Sequence, residues 1–338
     1  MFKSITVFKK LIVYIISNFD KDQFLYRKLT LIRYHSRNHS LLNSDKQKII
    51  LCVDNYGLNG GLTDRLKAIV SIYHLSCNAN IDFKLKFDYP FHIEEYFVLR
   101  QHQIIANKND LKWSILNSKF IYIKDDPNKI FNIINYFKSK QISKTFIYTN
   151  LDCLPLMYGQ ARSSKIWAQT FNDLFFFKNI LIEKFNYYLS KNLNTSKYLI
   201  FHARFTTLLN DFSDVTSHNL SNYEKNKIIE KVWLRMVAIA EENKEFKIMI
   251  FSDSKVYLNH AIKFIKDQNI NNLFIYNGEP KHTDRKNNSS DNYEYEFLTF
   301  LFMINSTSIY QFIGNGLYKS QFPLYASMIK NVDLKYVS

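Results

Sequence analysis

Short apolar segments alternate with amphipathic helical segments along most of this chain, and this alternation limits its fold more than any other sequence feature. The first pair shows the pattern. Residues 49–53 form an uninterrupted apolar run, and in residues 62–76 the apolar side chains recur at helical spacing. Because strands and helices that alternate in this way build parallel sheets with crossover helices, the sequence predicts an α/β fold with doubly wound sheets.

The alternation continues in both halves of the chain. The predicted strands span residues 49–53, 82–88, 119–123, 144–148, 198–203, 247–251, 273–276 and 308–313. The predicted helices span residues 62–76, 167–189, 223–243, 254–267, 293–304 and 320–330. The polar stretch 192–196 is interpreted as a hinge. This predicts an N-terminal segment (1–46) followed by two Rossmann-like domains (47–191 and 192–338), with a ligand cleft at the carboxyl ends of their strands.

Composition excludes several protein classes. The 338 residues are 46% hydrophobic and 22% charged, which excludes a mainly disordered chain. The sequence contains no apolar run of the roughly 18 residues that a membrane-spanning helix needs. The three cysteines, Cys52, Cys77 and Cys153, form no Cys-x-x-Cys pair, so they are interpreted as small core residues in a reducing compartment.

The net charge of +15 predicts an affinity for anions. The sequence has no zinc-finger spacing, RNP-like motif or long basic run, so nucleic acid is not an expected partner. The N-terminal segment combines an apolar helical stripe with flanking lysines, which suits a helix on an anionic membrane surface; packing against the protein body is equally consistent. These residues are Ile5, Phe8, Ile12, Ile15 and Ile16 in the stripe and Lys3, Lys9 and Lys10 beside it.

Five of the seven glycines lie in two loops, each between a predicted strand and a predicted helix. Gly57, Gly60 and Gly61 form one cluster, and Gly314 and Gly316 form the other. Free N–H groups at a helix N-terminus favour anions, so the pair of loops indicates a phosphate or nucleotide site; ordinary tight turns are the alternative. Neither loop matches the Walker pattern or the G-x-G-x-x-G fingerprint.

Polar residues follow three predicted strands of the C-terminal half. His202 and Arg204 end one strand, Asp253 ends the next, and Ser320 follows the last. Arg204 can hold a diphosphate with its planar guanidinium, or simply form a surface ion pair. Asp253 can accept hydrogen bonds from a nucleoside or cap the following helix, and Ser320 can likewise cap a helix or meet a phosphate. Because the carboxyl ends of parallel strands share one edge, these residues predict one site.

Four motifs resemble those of the fucosyltransferase-like superfamily, which includes nodulation, α1,2-, α1,6- and protein O-fucosyltransferases with the GT-B fold. Residues 60–66 resemble its Gly-Gly-Leu-Gly-Asp/Asn-Arg/Gln-Leu loop. Residues 202–204 resemble the start of its His-x-Arg-x-Gly/Thr-Asp motif. Residues 251–253 resemble its Ala-Thr-Asp-Asp strand end, and residues 314–326 its final Gly-Thr-x-Ser-Ser segment.

The resemblance implies a GT-B-like fold, in which two Rossmann-type domains face a central cleft, with domain 47–191 on the acceptor side and domain 192–338 binding the nucleotide sugar. It also implies transfer of a sugar, most simply fucose from GDP-fucose, to a glycan of a bacterial surface polysaccharide or lipopolysaccharide. Neither a metal nor a cofactor is expected. The expected partners are the nucleotide-sugar donor, the glycan acceptor and an anionic membrane surface, and the expected location is the cytoplasm or the inner face of the membrane.

The resemblance also assigns roles to residues. Arg204, together with backbone N–H groups near residues 316–320, would stabilise the departing diphosphate, and His202 and Asp253 would orient the nucleoside. The expected donor site is His202, Arg204, Asp253, Gly314, Gly316 and Ser320. The expected N-terminal loop is Gly57, Gly60, Gly61, Asp64 and Arg65. Arg204 and Asp64 are the catalytic candidates, and the candidate bases for an inverting reaction are Asp64, Glu94 and Glu95.

The chain departs from the family motifs at several positions. Position 63 is Thr where the family has Gly. The acidic residue that follows the family's His-x-Arg is absent after Arg204, and Asp211 or Asp214 is a candidate replacement. In the final segment Asn315 stands where the family has Thr, and an insertion precedes Ser320.

Three alternatives stay open on sequence grounds. A Rossmann-type oxidoreductase would use Asp82, which lies about 20 residues beyond the first glycine loop, but the pyrophosphate fingerprint is absent. A non-catalytic nucleotide- or glycan-binding protein would explain the altered motif after Arg204. A protein held to membrane or nucleic acid by charge alone would bind in a strongly salt-dependent way.

Overall fold

The fold is described from a computed structural model. It describes residues 30–31, 47–57, 60–113, 118–123, 130–138, 144–195, 197–206, 208–209, 220–276, 278–281, 292–314 and 316–338. Nearly all of the predicted amphipathic segment 1–46 therefore lies outside the described residues, as do Asp211, Asp214 and Asn315.

The described strands and helices alternate along the chain. The strands are β1 (Lys48–Val53), β2 (Asp82–Phe87), β3 (Phe97–Leu99), β4 (Ser118–Ile123), β5 (Lys144–Thr149), β6 (Phe175–Phe177), β7 (Tyr198–Ala203), β8 (Lys247–Ser252), β9 (Leu273–Ile275), β10 (Ser308–Phe312) and β11 (Asp333–Val337). The helices are α1 (Leu62–Asn78), α2 (Ile130–Lys138), α3 (Leu154–Tyr158), α4 (Gln160–Leu174), α5 (Asn179–Tyr188), α6 (Asn222–Glu242), α7 (Lys255–Asp267), α8 (Glu294–Ile304) and α9 (Phe322–Lys330).

The chain forms two compact units, each assembled from separate stretches of sequence. The first unit is drawn from Met1–Asn59, Lys67–Phe91 and Gln101–Cys153, and the second from Gly60–Leu66, His92–Arg100 and Leu154–Ser338. The boundaries given by the sequence analysis stay predictions.

The first unit contains a parallel sheet in the order β2-β1-β5-β4. Its central strand β1 is buried from Ile49 to Val53, as expected for a parallel strand that is covered on both faces. Trp113 stacks on Phe120, with ring centroids 4.4 Å apart, and both rings pack in one apolar cluster with Phe146 of β5.

The second unit contains a parallel sheet in the order β11-β10-β7-β8-β9. The register pairs Ala203 with Phe312 on one side and with Ser252 on the other, so β7, β8 and β10 end at the same level. This register places the residues that follow these three strands at one edge of the sheet. The prediction of an α/β fold with parallel sheets is confirmed.

The predicted long helix over residues 167–189 is wrong. Helix α4 ends at Leu174, strand β6 follows, and α5 begins only at Asn179. Strand β6 pairs antiparallel with β3, with Phe175 opposite Leu99. Three consecutive phenylalanines favour extended backbone, and this local preference interrupts the helical pattern on either side.

Two further differences concern the C-terminal end. Strand β11 lies beyond the last predicted element and extends the sheet as a parallel edge strand. Helix α9 begins at Phe322 rather than at residue 320, with Pro323 in its first turn, where proline lacks no needed N–H. Among the described residues, no helix has both the length and the apolar character to cross a bilayer.

Candidate functional site

A pocket lies at the carboxyl-terminal edge of the sheet of the second unit, and all its lining residues belong to that unit. Polar side chains from five chain segments meet there: the start of α1, the ends of β7 and β8, the segment before α8 with α8 itself, and the loop that leads to α9. They are Thr63, Asp64, His202, Arg204, Ser252, Asp253, Lys281, Glu296, Thr299, Ser320 and Gln321.

Arg204 is held in this pocket on two sides. Its Nε lies 3.6 Å from Oδ2 of Asp253, and its guanidinium carbon lies 4.8 Å from the ring centroid of Tyr318. The backbone is fixed as well, since Tyr318 N donates to Arg204 O at 3.0 Å. An Arg whose plane is set by an ion pair and an aromatic ring is oriented before any anion binds.

Asp253 organises the turn that follows β7. Its Oδ1 accepts a hydrogen bond from Phe205 N at 2.8 Å, and its Oδ2 accepts one from Thr206 N at 2.9 Å. Thr206 adopts the left-handed region at φ 50°, which these bonds help to hold. Burial raises the pKa of the Asp253 carboxyl, and the charge of Arg204 opposes that rise. Asp253 does not cap α7: Ser254 does, because its Oγ accepts from Tyr257 N at 3.0 Å.

His202 is buried at the end of β7 with an unsatisfied nitrogen. Its Nδ1 has no hydrogen-bond partner among the described residues, and its ring stacks loosely on Phe322 at a centroid distance of 6.5 Å. Burial, and secondarily the charge of Arg204, lowers the pKa of His202 to about 3. The imidazole is therefore neutral at pH 7 and offers the pocket one donor or one acceptor.

Glu296 is a pocket residue that the sequence analysis missed. Its Oε1 accepts a hydrogen bond from Lys281 N, whereas its Oε2 is buried without a partner among the described residues. Burial raises the pKa of Glu296 to about 8. The available signal was a second glutamate in the first turn of a helix that is otherwise almost wholly apolar, where burial of an acidic side chain needs a specific reason.

The glycine-rich segment before α1 brings Asp64 and its neighbours to the pocket. Gly61 N donates to Asp64 Oδ2 at 3.1 Å, and the Arg65 guanidinium donates to Gly60 O. Gly60 has a φ of +64°, and a Cβ at this position would overlap the Asp64 carboxylate. Gly61, Thr63 and Asp64 line the pocket, while Arg65 is buried below and braces the turn.

The other predicted glycines lie in turns. Gly314 and Gly316 have φ of +83° and +86°, and neither lines the pocket, contrary to the prediction that they belong to the donor site. Leu317 N donates to Gly314 O at 2.9 Å. Together with the bond from Tyr318 N, this occupies two of the N–H groups assigned to a diphosphate by resemblance. Gly57 lies in the first unit, where its N–H donates to Asp54.

Ser320 does reach the pocket. Its Oγ accepts from Phe322 N at 3.2 Å at the start of α9, and its carbonyl accepts from Gln311 Nε2 at 2.9 Å. Gln321, which follows it, also lines the pocket. The hydroxyl and the helix N-terminus therefore stand at the same edge as Arg204, where the helix dipole favours an anion.

Of the three candidate bases, Asp64 is the one in the pocket. Glu94 and Glu95 are exposed in a short turn before β3, and Glu95 Oε1 accepts from His92 N at 3.2 Å, which ties it to its own turn. Within the described part of the chain, no three His, Cys, Asp or Glu side chains are grouped so as to hold a metal ion.

The chain is similar in sequence to a known fucosyltransferase. The chain is 24% identical over 280 residues to GDP-fucose protein O-fucosyltransferase 2 of Plasmodium berghei, a match that covers 75% of this chain and 55% of that protein. The chain thus spans about half the length of this curated relative. It matches no profile of a known protein family.

Solved structures share the fold at low sequence identity. A mutant of Arabidopsis thaliana FUT1 in complex with GDP superposes with a TM-score of 0.55 at 9% identity, covering 92% of this chain and 76% of that one. This chain has a fucosyltransferase-like fold. NodZ α-1,6-fucosyltransferase, soaked with GDP-fucose, gives a TM-score of 0.50 at 12% identity, covering 84% of this chain and 93% of that one.

The predicted resemblance to the fucosyltransferase-like superfamily and the predicted GT-B-like class are confirmed. Within this fucosyltransferase-like fold, five segments converge on the pocket, and three of them carry motifs on which the resemblance was based: residues 60–66, 202–204 and 251–253. The fourth motif reaches the pocket through Ser320 and Gln321 rather than through its glycines.

Proposed function

We propose that this chain is a glycosyltransferase that transfers fucose from GDP-fucose to a hydroxyl group. The similarity in sequence to a GDP-fucose protein O-fucosyltransferase and the fold shared with FUT1 and NodZ support this proposal. One observation carries it: buried polar atoms of His202 and Glu296 lack partners in the same pocket that holds the oriented Arg204. Buried polar groups are ordinarily satisfied, so a ligand that completes them is expected there.

The parts of GDP-fucose match the pocket chemically. Guanine carries N–H donors on one edge, and the Glu296 carboxyl, when ionised, accepts such bonds. Lys281 lines the pocket on the same side as Glu296. Arg204, on the β7 side next to the β10–α9 loop, binds the diphosphate. In this proposal the phosphates lie beside Arg204, and the base lies on the side of the pocket that Lys281 and Glu296 line.

The reaction exchanges one C–O bond for another. The acceptor oxygen bonds to the anomeric carbon while the bond from that carbon to the diphosphate oxygen breaks, and the electron pair of that bond leaves on GDP. Arg204 stabilises the negative charge that develops on the diphosphate. In an inverting reaction the acceptor proton passes to a carboxylate, and we assign this role to Asp64, because both oxygens of Asp253 accept backbone N–H groups.

We propose a glycan of a bacterial surface polysaccharide or lipopolysaccharide as the acceptor. The curated relative favours a second candidate, a hydroxyl of a protein side chain, because that relative is a protein O-fucosyltransferase. Incubation of the enzyme with radiolabelled GDP-fucose and either purified surface glycans or folded protein domains distinguishes them: label in only the glycan fraction supports the first candidate.

A thermal-shift screen of nucleotides and nucleotide sugars tests the donor. GDP or GDP-fucose at 100 times its Kd should stabilise the fold by about 2.7 kcal/mol, whereas UDP and ADP at the same concentrations should stabilise it much less. Stabilisation by NAD or NADP instead would indicate an oxidoreductase. Tight GDP binding without transfer to any acceptor would indicate a non-catalytic binding protein.

We also propose that transfer needs no divalent cation, because Arg204 can supply the charge stabilisation that a metal supplies in other transferases. Initial rates measured with and without excess chelator should agree. Complete loss of activity with EDTA, restored by manganese, would contradict this proposal.

The location of the protein is a further proposal. Cys52 and Cys153 are buried as predicted, whereas the prediction of a core position for Cys77 is wrong, because Cys77 is exposed near the end of α1. All three are free thiols, which suits a reducing compartment such as the cytoplasm. The basic segment 1–46 would attach the chain to the inner face of the membrane. Co-sedimentation with vesicles of anionic lipid, and release by about 0.5 M salt, tests this attachment; equal binding to neutral vesicles would contradict it.

A further inference from the structure

Thr63 presents an unsatisfied hydroxyl to the pocket. It is the second residue of α1, its side chain is 5% exposed, and its Oγ1 has no hydrogen-bond partner among the described residues. The residue lines the same pocket as Arg204 and His202. A buried hydroxyl without a partner destabilises a fold unless a ligand or an ordered water completes it.

The turn before α1 does not use this hydroxyl. The turn is already fixed without it, since Gly61 N bonds to Asp64 Oδ2 and the Arg65 guanidinium bonds to Gly60 O. A hydroxyl that the turn does not use is available to a ligand.

The charge beside Thr63 indicates which part of a donor it contacts. Asp64 follows directly and lines the same pocket, so an anionic diphosphate next to this pair would be repelled. A sugar is neutral and carries hydroxyl groups that donate to carboxylates and exchange hydrogen bonds with a threonine. The diphosphate belongs with Arg204, and the neutral sugar belongs with Thr63 and Asp64.

We propose that the Thr63 hydroxyl hydrogen-bonds a hydroxyl group of the transferred sugar and that Thr63 is a specificity-determining residue for the donor. This inference rests on the proposed function and adds the subsite that reads the sugar. The Thr63 hydroxyl can form a hydrogen bond with one hydroxyl group of the sugar. A donor sugar that lacks this group leaves the Thr63 hydroxyl unpaired and therefore binds less tightly.

Isothermal titration calorimetry on the full chain without acceptor tests the inference. Thr63→Val keeps the shape and removes the hydroxyl, Thr63→Ser keeps the hydroxyl, and each variant is titrated with GDP and with GDP-fucose. We expect Thr63→Val to weaken GDP-fucose binding about 3- to 10-fold and to leave GDP binding within about twofold, while Thr63→Ser restores the wild-type ratio.

Thr170→Val is the matched control, because Thr170 is also buried in the second unit but does not line the pocket. It should leave both affinities unchanged. The Thr63→Val protein should melt no lower than the wild type, because no protein partner of the hydroxyl is lost. Reduced affinity at an unchanged melting temperature then reports binding rather than folding.

Two other outcomes separate the inference from the function on which it rests. If the wild-type protein binds GDP, but Thr63→Val leaves both affinities unchanged, only the role of Thr63 is overturned. An equal loss for both ligands also overturns it, because the hydroxyl then contacts the nucleotide. Wild-type protein that binds neither ligand overturns the proposed function itself.

Discussion

The two units carry polar clusters at the same kind of place, the carboxyl ends of parallel strands, yet the clusters differ in one respect. In the first unit, Asp54 follows β1 and is buried, and Lys86 Nζ lies 2.6 Å from its Oδ2. Tyr148 donates to the same oxygen at 3.0 Å, and Tyr56 N donates to Oδ1 at 3.0 Å. Both carboxylate oxygens of Asp54 are thus satisfied by the protein.

The pocket of the second unit differs, because several of its buried polar atoms have no hydrogen-bond partner among the described residues. His202 Nδ1, Glu296 Oε2 and Thr63 Oγ1 are among these atoms. A closed network stabilises and orients its own backbone, whereas an open one is poised to bind. Strand-end position alone therefore does not mark a binding site, whereas buried polar atoms without hydrogen-bond partners do.

The largest expected effect is on the closed cluster. Lys86→Met leaves the buried Asp54 carboxylate without its cation and should lower the free energy of unfolding by about 3–5 kcal/mol, measured by urea denaturation. Adding Asp54→Asn should recover part of the loss. GDP affinity of the folded variant should stay within about twofold of wild type. A stability equal to that of the wild type would show that the ion pair between Lys86 and Asp54 does not stabilise the fold.

Arg204→Ala tests the open cluster next. We expect kcat for transfer to fall by about 10²–10³, because one charged donor to the departing diphosphate is lost. Arg204→Lys keeps the charge but lacks the planar guanidinium, so its kcat should lie between those of the wild type and Arg204→Ala. Urea denaturation is measured alongside, because Arg204→Ala also leaves the largely buried carboxylate of Asp253 without its cation. Transfer at the wild-type rate would remove Arg204 from the mechanism.

Glu296 predicts a pH dependence with a definite sign. Its pKa is raised to about 8, so between the ordinary value and pH 8 the folded state binds more protons than the unfolded state, and stability falls as pH rises. Between pH 6.5 and 8 this should cost about 2 kcal/mol. His202, whose pKa is lowered, contributes a smaller effect of opposite sign, because its imidazole is partly protonated at pH 6.5 in the unfolded state and neutral in the folded state; this adds about 0.4 kcal/mol of stability between pH 6.5 and 8.

Glu296→Gln is the corresponding variant. Urea denaturation of this variant should show no loss of stability between pH 6.5 and pH 8, whereas the wild type should be less stable at pH 8 than at pH 6.5. If the wild type also shows no loss, the carboxyl is ionised in the folded protein and the pocket is more hydrated than described.

The smallest expected effect belongs to Tyr318, which covers the Arg204 guanidinium. Tyr318→Leu removes the cation–π contact and should weaken GDP binding about 2- to 5-fold, measured by calorimetry. Tyr318→Phe keeps the ring and should bind like the wild type. Equal weakening in both variants would assign the contribution to the Tyr318 hydroxyl instead of the ring.

Much of this architecture could be predicted from the sequence. Apolar runs such as residues 49–53 and 198–203 mark buried parallel strands clearly, because both faces of the strand are covered. The convergence of four polar residues on one pocket could be predicted from the rule that parallel strands end at one edge of a sheet. These residues are His202, Arg204, Asp253 and Ser320. That rule uses topology alone and needs no side-chain detail.

The remainder depended on contacts that sequence spacing does not encode. Helical periodicity through residues 167–189 hid β6, whose partner β3 lies more than 70 residues earlier. Glu296 sits in an apolar helix, where periodicity identifies core positions and not the one acidic side chain that faces a pocket. The cap of α7 shifted from Asp253 to Ser254 because Asp253 is already bound to Phe205 N and Thr206 N.

The ring contacts of Tyr96 and Trp167 have a practical consequence for anyone who wishes to produce the second unit alone. Tyr96 stacks face to face on Phe297 at 4.1 Å, and Trp167 packs against Tyr325 at 4.8 Å, so residues that precede position 192 shield the apolar side of α8 and α9. A truncated gene that starts at codon 192 would encode these helices without that shield. Its product should aggregate on expression, whereas one that retains the early stretches should stay in solution.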